Sequence, residues 1–372
     1  MIGNHQQVAD IPLPDAGWRQ PLRRRLGRWY ARGARDFPWR RTRDPYQVWV
    51  SEIMLQQTQT ATVVPYFERF IRAFPTVHSL AAAPEEDLLR LWEGLGYYRR
   101  ARQLKDAAAI VVREHRGQIP QDAESLESLP GIGRYTAGAI LSIAWDQRQP
   151  ILEANTIRLW SRLLAYRGDP ASAAGQRLLW EAAATALPRR DVGRFNQALM
   201  ELGSQVCLPR DPHCDRCPLA SLCPTRAGGL QDEIPRQKKR AQTTSVREAV
   251  VVVRKKGQVL MLYGDEAGRW AGMWDFPRFP LAASRGQSLR RELIAKVAGA
   301  TGVQITPGDK LLRLKHGVTR FRITLDCYEA QYVARRARSP RRHKWINPER
   351  LREFPLHVTG RKLGNLIAEA KR

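Results

Sequence analysis

The sequence predicts a multidomain protein of mixed class, an all-α domain followed by an α/β domain of the α+β kind, and three observations carry that prediction. The chain has 372 residues, more than one hydrophobic core usually serves. The period of its apolar residues changes partway along, from three and four to two. Four of its five cysteines crowd into CLPRDPHCDRCPLASLC at 207–223, where the first pattern ends.

Taken in order, the opening MIGNHQQVADIPLPD lacks the charged-then-apolar layout of a secretion signal and reads as a short disordered leader over 1–17. The longest apolar runs, such as 249–253, fall far short of the ~20 residues needed to cross a bilayer, so a soluble intracellular protein is expected. From 18 to 226 the text is helical. Ala101, Leu104, Ala108 and Val111 show the three-and-four spacing, and Phe74-Pro75, Ile119-Pro120 and Leu129-Pro130-Gly131 are stop signals. Residues 227–246 are polar, basic and Gly- and Pro-bearing, as a linker is. In 247–372, AVVVVRKKGQVLMLY reads as two strands around a Lys-Gly turn, and RFRITLDCYEAQYV alternates with period two, which leaves Cys327 in the core.

Lys and Arg number 62 against 36 Asp and Glu, a net charge of +26. Such a field concentrates a polyanion, so a nucleic acid is the leading partner. The cysteines Cys207, Cys214, Cys217 and Cys223 are spaced to close around one metal centre. Disulfides do not suit a reducing cytosol, and the residues alone leave zinc and an iron–sulfur cluster open.

The cysteine spacing, with DPYQVWVSEIMLQQTQT (44–60), WEGLGYYRRAR (92–102), LPGIGRYTAGAI (129–140) and FNQALMELGSQVC (195–207), resembles the adenine DNA glycosylase (MutY) branch of the endonuclease III-like, helix-hairpin-helix superfamily. The likeness extends to a MutT-like (Nudix-like) C-terminal domain. It implies a monofunctional base-excision-repair enzyme that hydrolyses the N-glycosidic bond of adenine mispaired with 8-oxoguanine or guanine. The partner would be double-stranded DNA with mismatched or oxidised base pairs, bound by a monomer in the bacterial cytoplasm, at the nucleoid. The four cysteines would hold a structural [4Fe–4S] cluster, with Arg210 and Arg216 facing phosphate.

Residue by residue, the resemblance implies that Gly131, Gly133, Arg134 and Thr136 bind phosphate through the hairpin turn, whose glycines permit left-handed backbone before a helix N-terminus. Leu55, Gln57 and Tyr97 match positions that fill the gap left by an extruded nucleotide. Glu52, in an apolar helical run where desolvation favours its protonated form, would deliver a proton to the leaving base. The family's aspartate that stabilises the sugar cation is replaced by Glu153, next to Asn155. Glu153 otherwise reads as an acid complementing a helix N-terminus. Tyr135 stands where bifunctional relatives carry a Schiff-base lysine. In the second domain Ala295 and Lys296 replace metal-binding glutamates of the Nudix helix, so pyrophosphohydrolysis is not expected. Thr319 and Arg320 match the lesion-reading pair, with Arg320 in place of histidine. The departures at Glu153 and Arg320 keep two alternatives in view, a glycosylase of altered mismatch specificity and a catalytically weak lesion-binding protein.

Overall fold

The computed structural model describes residues 13, 15–236, 243–264, 270–283, 285–318 and 320–369. Most of the leader, part of the linker and Thr319 lie outside the described residues. The chain divides into two compact units, Met1–Ala82 with Gln103–Lys239, and Ala83–Arg102 with Arg240–Arg372.

In chain order the helices of the N-terminal half are α1 (Ala16–Gly33), α2 (Pro45–Leu55), α3 (Thr60–Ala73), α4 (Val77–Ala82), α5 (Glu85–Trp92), α6 (Arg99–Glu114), α7 (Ala123–Glu127), α8 (Arg134–Trp145), α9 (Ala154–Leu163), α10 (Ala173–Ala186), α11 (Val192–Gln205) and α12 (Pro224–Ala227). Several start where the sequence supplies a cap. Asp15, Asp44 and Asp122 each accept a backbone N–H from the first turn of α1, α2 and α7. The three-and-four spacing on α6 is repaid in burial, since Ala101, Leu104, Ala108 and Val111 are all at most 1% exposed. Leu22, Leu26, Trp160, Leu179, Leu199 and Leu202 gather α1, α9, α10 and α11 into one core. α2 and α8 are buried nearly all round. On α8, a Cβ at Gly138 would sit 2.4 Å from the Pro150 carbonyl oxygen, so only glycine lets that helix approach the loop leading into α9.

The second unit is built on a mixed sheet of seven strands among the described residues: β1 (Thr244–Lys255), β2 (Gln258–Tyr263), β3 (Trp274–Asp275), β4 (Arg278–Pro280), β5 (Val303–Val318), β6 (Phe321–Arg335) and β7 (His343–Ile346). Besides α5, the described residues of this unit include the helices α13 (Gly286–Thr301) and α14 (Val358–Glu369). The order is β3-β2-β1-β6-β5, with β4 on β1 and β7 on β2. β1 runs parallel to β6 and antiparallel to β2 across the Lys256-Gly257 turn. The unbroken AVVVV run in β1 follows from burial on both faces. Val250 and Val252 pack with Leu363 and Ile367 of α14, while Ala249, Val251 and Val253 pack with Leu293 and Val297 of α13. Cys327, on β6, is fully buried in the first of these cores. Among the described residues no helix is long and apolar enough to cross a membrane.

Candidate active site

α2 carries Glu52 inward because the residues on either side of it, Val48 to Met54, are all buried; Glu52 itself is 4% exposed. Its hydrogen-bond partner is a neutral phenol: Tyr135, in the first turn of α8, donates its Oη proton to Glu52 Oε2 at 2.6 Å. Burial pushes the Glu52 carboxyl up to about 7, helped by the nearby Glu153 and opposed by the Tyr135 bond and by Arg40. Burial and the same two carboxylates raise Tyr135 well above an ordinary phenol, which keeps it a donor.

Glu153 is the N-cap of α9, and both readings of it meet in the structure. Its Oε1 accepts from the Thr156 N–H at 3.0 Å, its Oε2 from the Asn155 N–H at 2.9 Å and from Asn155 Nδ2 at 3.1 Å. The Thr156 hydroxyl accepts the Glu153 N–H in return, completing a capping box. The longer side chain thus folds back over the helix end, and it still lines the cleft that holds Glu52. Burial raises its pKa while the helix-end N–H groups and Arg158 oppose that rise. Asn155 is held in turn, its Oδ1 accepting from Arg158 Nη2 at 3.0 Å.

The cleft, of about 430 Å³, gathers Glu52, Tyr135, Glu153, Asn155, Leu55 and Gln57. That volume lies in the range of small-ligand pockets. Its far wall escaped the sequence reading. Glu201 on α11 is 1% exposed and accepts from Arg35 at 2.6 Å and from Arg40 at 2.8 Å. Although burial works to raise its pKa, the two guanidinium partners outweigh this and hold Glu201 below its ordinary range. The available signal was a lone glutamate in FNQALMELG, on the same kind of apolar helix as Glu52.

The hairpin differs in detail from its expected form. α7 ends at Glu127, ahead of the Leu129-Pro130-Gly131 stop signal, and α8 begins at Arg134. Gly131 takes φ +81°, in the left-handed region, and Gly133 caps α8 in extended backbone. Arg134 is exposed, with its guanidinium 4.0 Å from the Trp180 ring centroid. Thr136 is 3% exposed, its side chain lying within the buried face of α8. Tyr97 is 50% exposed at φ +48°, an aromatic left outside the core.

The four cluster-spaced cysteines line one small pocket closed by Arg162 and Gln231. Arg162, 3% exposed, donates to Cys207 Sγ at 3.3 Å and to the carbonyls of Leu208, Gln231 and Ile234. Burial pushes the Cys217 thiol up to about 12, with the other three sulfurs adding to the effect. Four thiolates placed together need a cationic centre to offset their repulsion. Among the described residues no group of three or more His, Cys, Asp or Glu is placed to hold a metal ion. The donor set lining this pocket is nonetheless four cysteine sulfurs, which suit a soft metal centre. Arg210 and Arg216 on this loop are exposed.

In the second unit, Arg320 is exposed beside the Phe321 ring, and Thr319 lies outside the described residues. On α13, Glu292 is occupied in accepting the N–H groups of Ala282 and Ala283 at 3.0 and 2.6 Å. WAGMWDFPRF forms part of the core. Its Arg278 is clamped between Glu248 and Asp275, and His357 lies 2.6 Å from Asp275.

Residues 50–184 match the model of the HhH-GPD superfamily of base excision DNA repair proteins, and residues 249–365 match the NUDIX domain. The adenine DNA glycosylase of Rattus norvegicus is 33% identical over 94% of this chain and 78% of its own. That of Buchnera aphidicola subsp. Schizaphis graminum is 36% identical over 68% of this chain and 73% of its own. Among solved structures, a thermostable thymine-DNA glycosylase superposes with a TM-score of 0.52 at 27% identity, covering 57% of this chain and 98% of that one. The helical cleft, the matched families and these relatives agree: the chain belongs to the adenine DNA glycosylase family, DNA glycosylases of base excision repair.

Proposed function

We propose that the enzyme removes adenine paired with 8-oxoguanine or guanine, by hydrolysis and without strand cleavage. The observation that carries this reading is the convergence of Glu52 and Glu153 on one cleft, the first against a phenol and the second against the N–H groups of a helix end.

Glu52, poised near neutrality, donates a proton to the ring nitrogen of adenine that faces the major groove. The glycosidic bond then breaks toward the base, leaving positive charge on the sugar. Glu153, anchored over the start of α9, faces that charge as an anion, and Asn155 holds its Oε2. Water adds to the sugar carbon and loses a proton. Glu201, kept ionised, and Arg40 offer an acceptor and a donor to the edge of the extruded base. Tyr135 supplies no amine, so no Schiff base forms there.

Around this centre, Gly131, Gly133 and Arg134, with the Thr136 amide, grip backbone phosphate. Leu55, Gln57 and Tyr97 occupy the vacated stack, and Thr319 with Arg320 meets the oxidised guanine. Cys207, Cys214, Cys217 and Cys223 would hold a [4Fe–4S] cluster, whose contribution when bound is to cross-link the loop that presents Arg210 and Arg216. The enzyme works as a monomer on chromosomal DNA at the nucleoid. Single-turnover assays on duplexes carrying A, T or G opposite 8-oxoguanine test the assignment. Adenine release alone, with no borohydride-trapped adduct, supports it; preferred release of thymine, or nicking at the rate of base release, overturns it.

A further inference from the structure

Tyr97 belongs to a segment, Ala83–Arg102, that lies in sequence amid the helices of the first unit yet folds with the C-terminal residues. The attachment is specific at both ends. Near the start of α5, the backbone at Gly272 (φ +75°) comes so close that a Cβ there would stand 2.6 Å from Glu85 Oε1 and 2.9 Å from Leu89 Cδ1. Arg102 donates to the Ala271 carbonyl, and Arg342 pairs with Glu86 at 3.5 Å. At the other end of α5, Glu93 is the C-cap. Arg361 on α14 takes both its oxygens, at 2.6 and 2.9 Å, and Glu93 Oε2 also accepts the Leu356 N–H at 3.2 Å. Arg361 spends its remaining donors on the Leu351 and Phe354 carbonyls, at 2.8 and 2.7 Å. The side chains of this fork-to-fork pair are only 21% and 14% exposed, so its geometry is strongly specified.

Between Glu93 and Tyr97 there is little slack. Gly94, Gly96 and Tyr97 all take positive φ, at 102°, 71° and 48°. Trp92 Nε1 donates to the Gly96 carbonyl at 3.1 Å, and Arg100 reaches the Leu95 and Gly96 carbonyls while lying 5.4 Å from the Tyr97 ring centroid. Hydrogen bonds thus link Trp92, next to Glu93, with Gly96, next to Tyr97.

We propose that Glu93 and Arg361 are positioning residues through which the C-terminal unit sets the pose of Tyr97, and with it the rate at which the target adenine is extruded. This rests on the reading of Tyr97 as the residue that enters the duplex. The test follows extrusion by the fluorescence of 2-aminopurine placed beside the target adenine, opposite 8-oxoguanine, in stopped flow with the full chain. Glu93→Gln and Arg361→Gln are each expected to slow extrusion on the order of ten- to a hundredfold, and the exchanged pair Glu93→Arg with Arg361→Glu to recover most of the loss. Wild-type extrusion in both single variants, or an exchanged pair no faster than either, overturns the proposal. Tyr97→Ala runs beside them: if it extrudes normally, the assignment of Tyr97 itself falls, whereas slow extrusion there with normal extrusion in Glu93→Gln removes only the coupling.

Discussion

Both units bury carboxylates against cations, but the first also buries one, Glu52, against a neutral donor. In the second unit Asp275 and Glu248 share the guanidinium of Arg278, and fully buried Asp326 is surrounded by Arg247, Lys310 and Arg313, which together hold its carboxyl at about 2. In the first unit Glu52 is given a phenol instead of a cation and rises to about 7. A carboxylate held by cations stays ionised; an acid buried beside a neutral donor can give up a proton at physiological pH. The chemistry therefore resides in the helical unit, and the sheet unit holds its charges fixed.

Substitution of Glu52 strikes this contrast hardest. Glu52→Gln is expected to lower single-turnover excision about 10³-fold or more, as loss of a general acid does. It should also stabilise the fold. Because the folded pKa near 7 exceeds the ordinary 4.5, the native state holds an extra proton between those values, and stability falls as pH rises through that window. Above it the penalty is on the order of 3 kcal/mol, so melting of Glu52→Gln at pH 8 should exceed that of the parent; an equal or lower melting temperature would remove the desolvation argument.

Arg278→Met is the counterpart in the sheet unit. It removes the guanidinium that two buried acids share, at a cost of about 3–5 kcal/mol, read as a lower denaturation midpoint for that unit. Excision from a guanine·adenine duplex should stay near the parental rate below that midpoint. A loss of chemistry before unfolding would place catalysis in both units.

At Glu153, alanine removes both anion and cap and is expected to slow excision about 10²-fold and destabilise α9 by ~1 kcal/mol. A rate unchanged by Glu153→Ala would leave it a cap alone. The smallest effect belongs to Tyr135→Phe. Its bond holds the Glu52 carboxyl down, so without it the alkaline limb of the pH–rate profile should move to higher pH. Movement to lower pH would contradict the assignment.

Much of this was legible in the sequence. Period-two alternation and an AVVVV run foretold strands, and SEIMLQQ on an apolar helix placed a carboxylate in the interior. The misses share a cause: they depend on where side chains point across long separations. Nothing local to Thr136 reveals that its side chain turns inward. Glu201 gains meaning only beside Arg35 and Arg40, more than 160 positions away. Nor could spacing show that the extra methylene of Glu153 would be taken up by a capping box. Glu93 stands inside WEGLGYYRRAR, but nothing there points to its partner, which comes 268 positions later.

That last separation reaches beyond the finished molecule. A ribosome delivers Leu89 and Glu93 long before Gly272, Leu356 and Arg361 exist, so the nascent chain carries α5 without the neighbours it meets in the native state. Completion of that compact unit thus waits for α14 to be translated, and a transcript cut short in the linker would yield a glycosylase region with one of its helices left undocked.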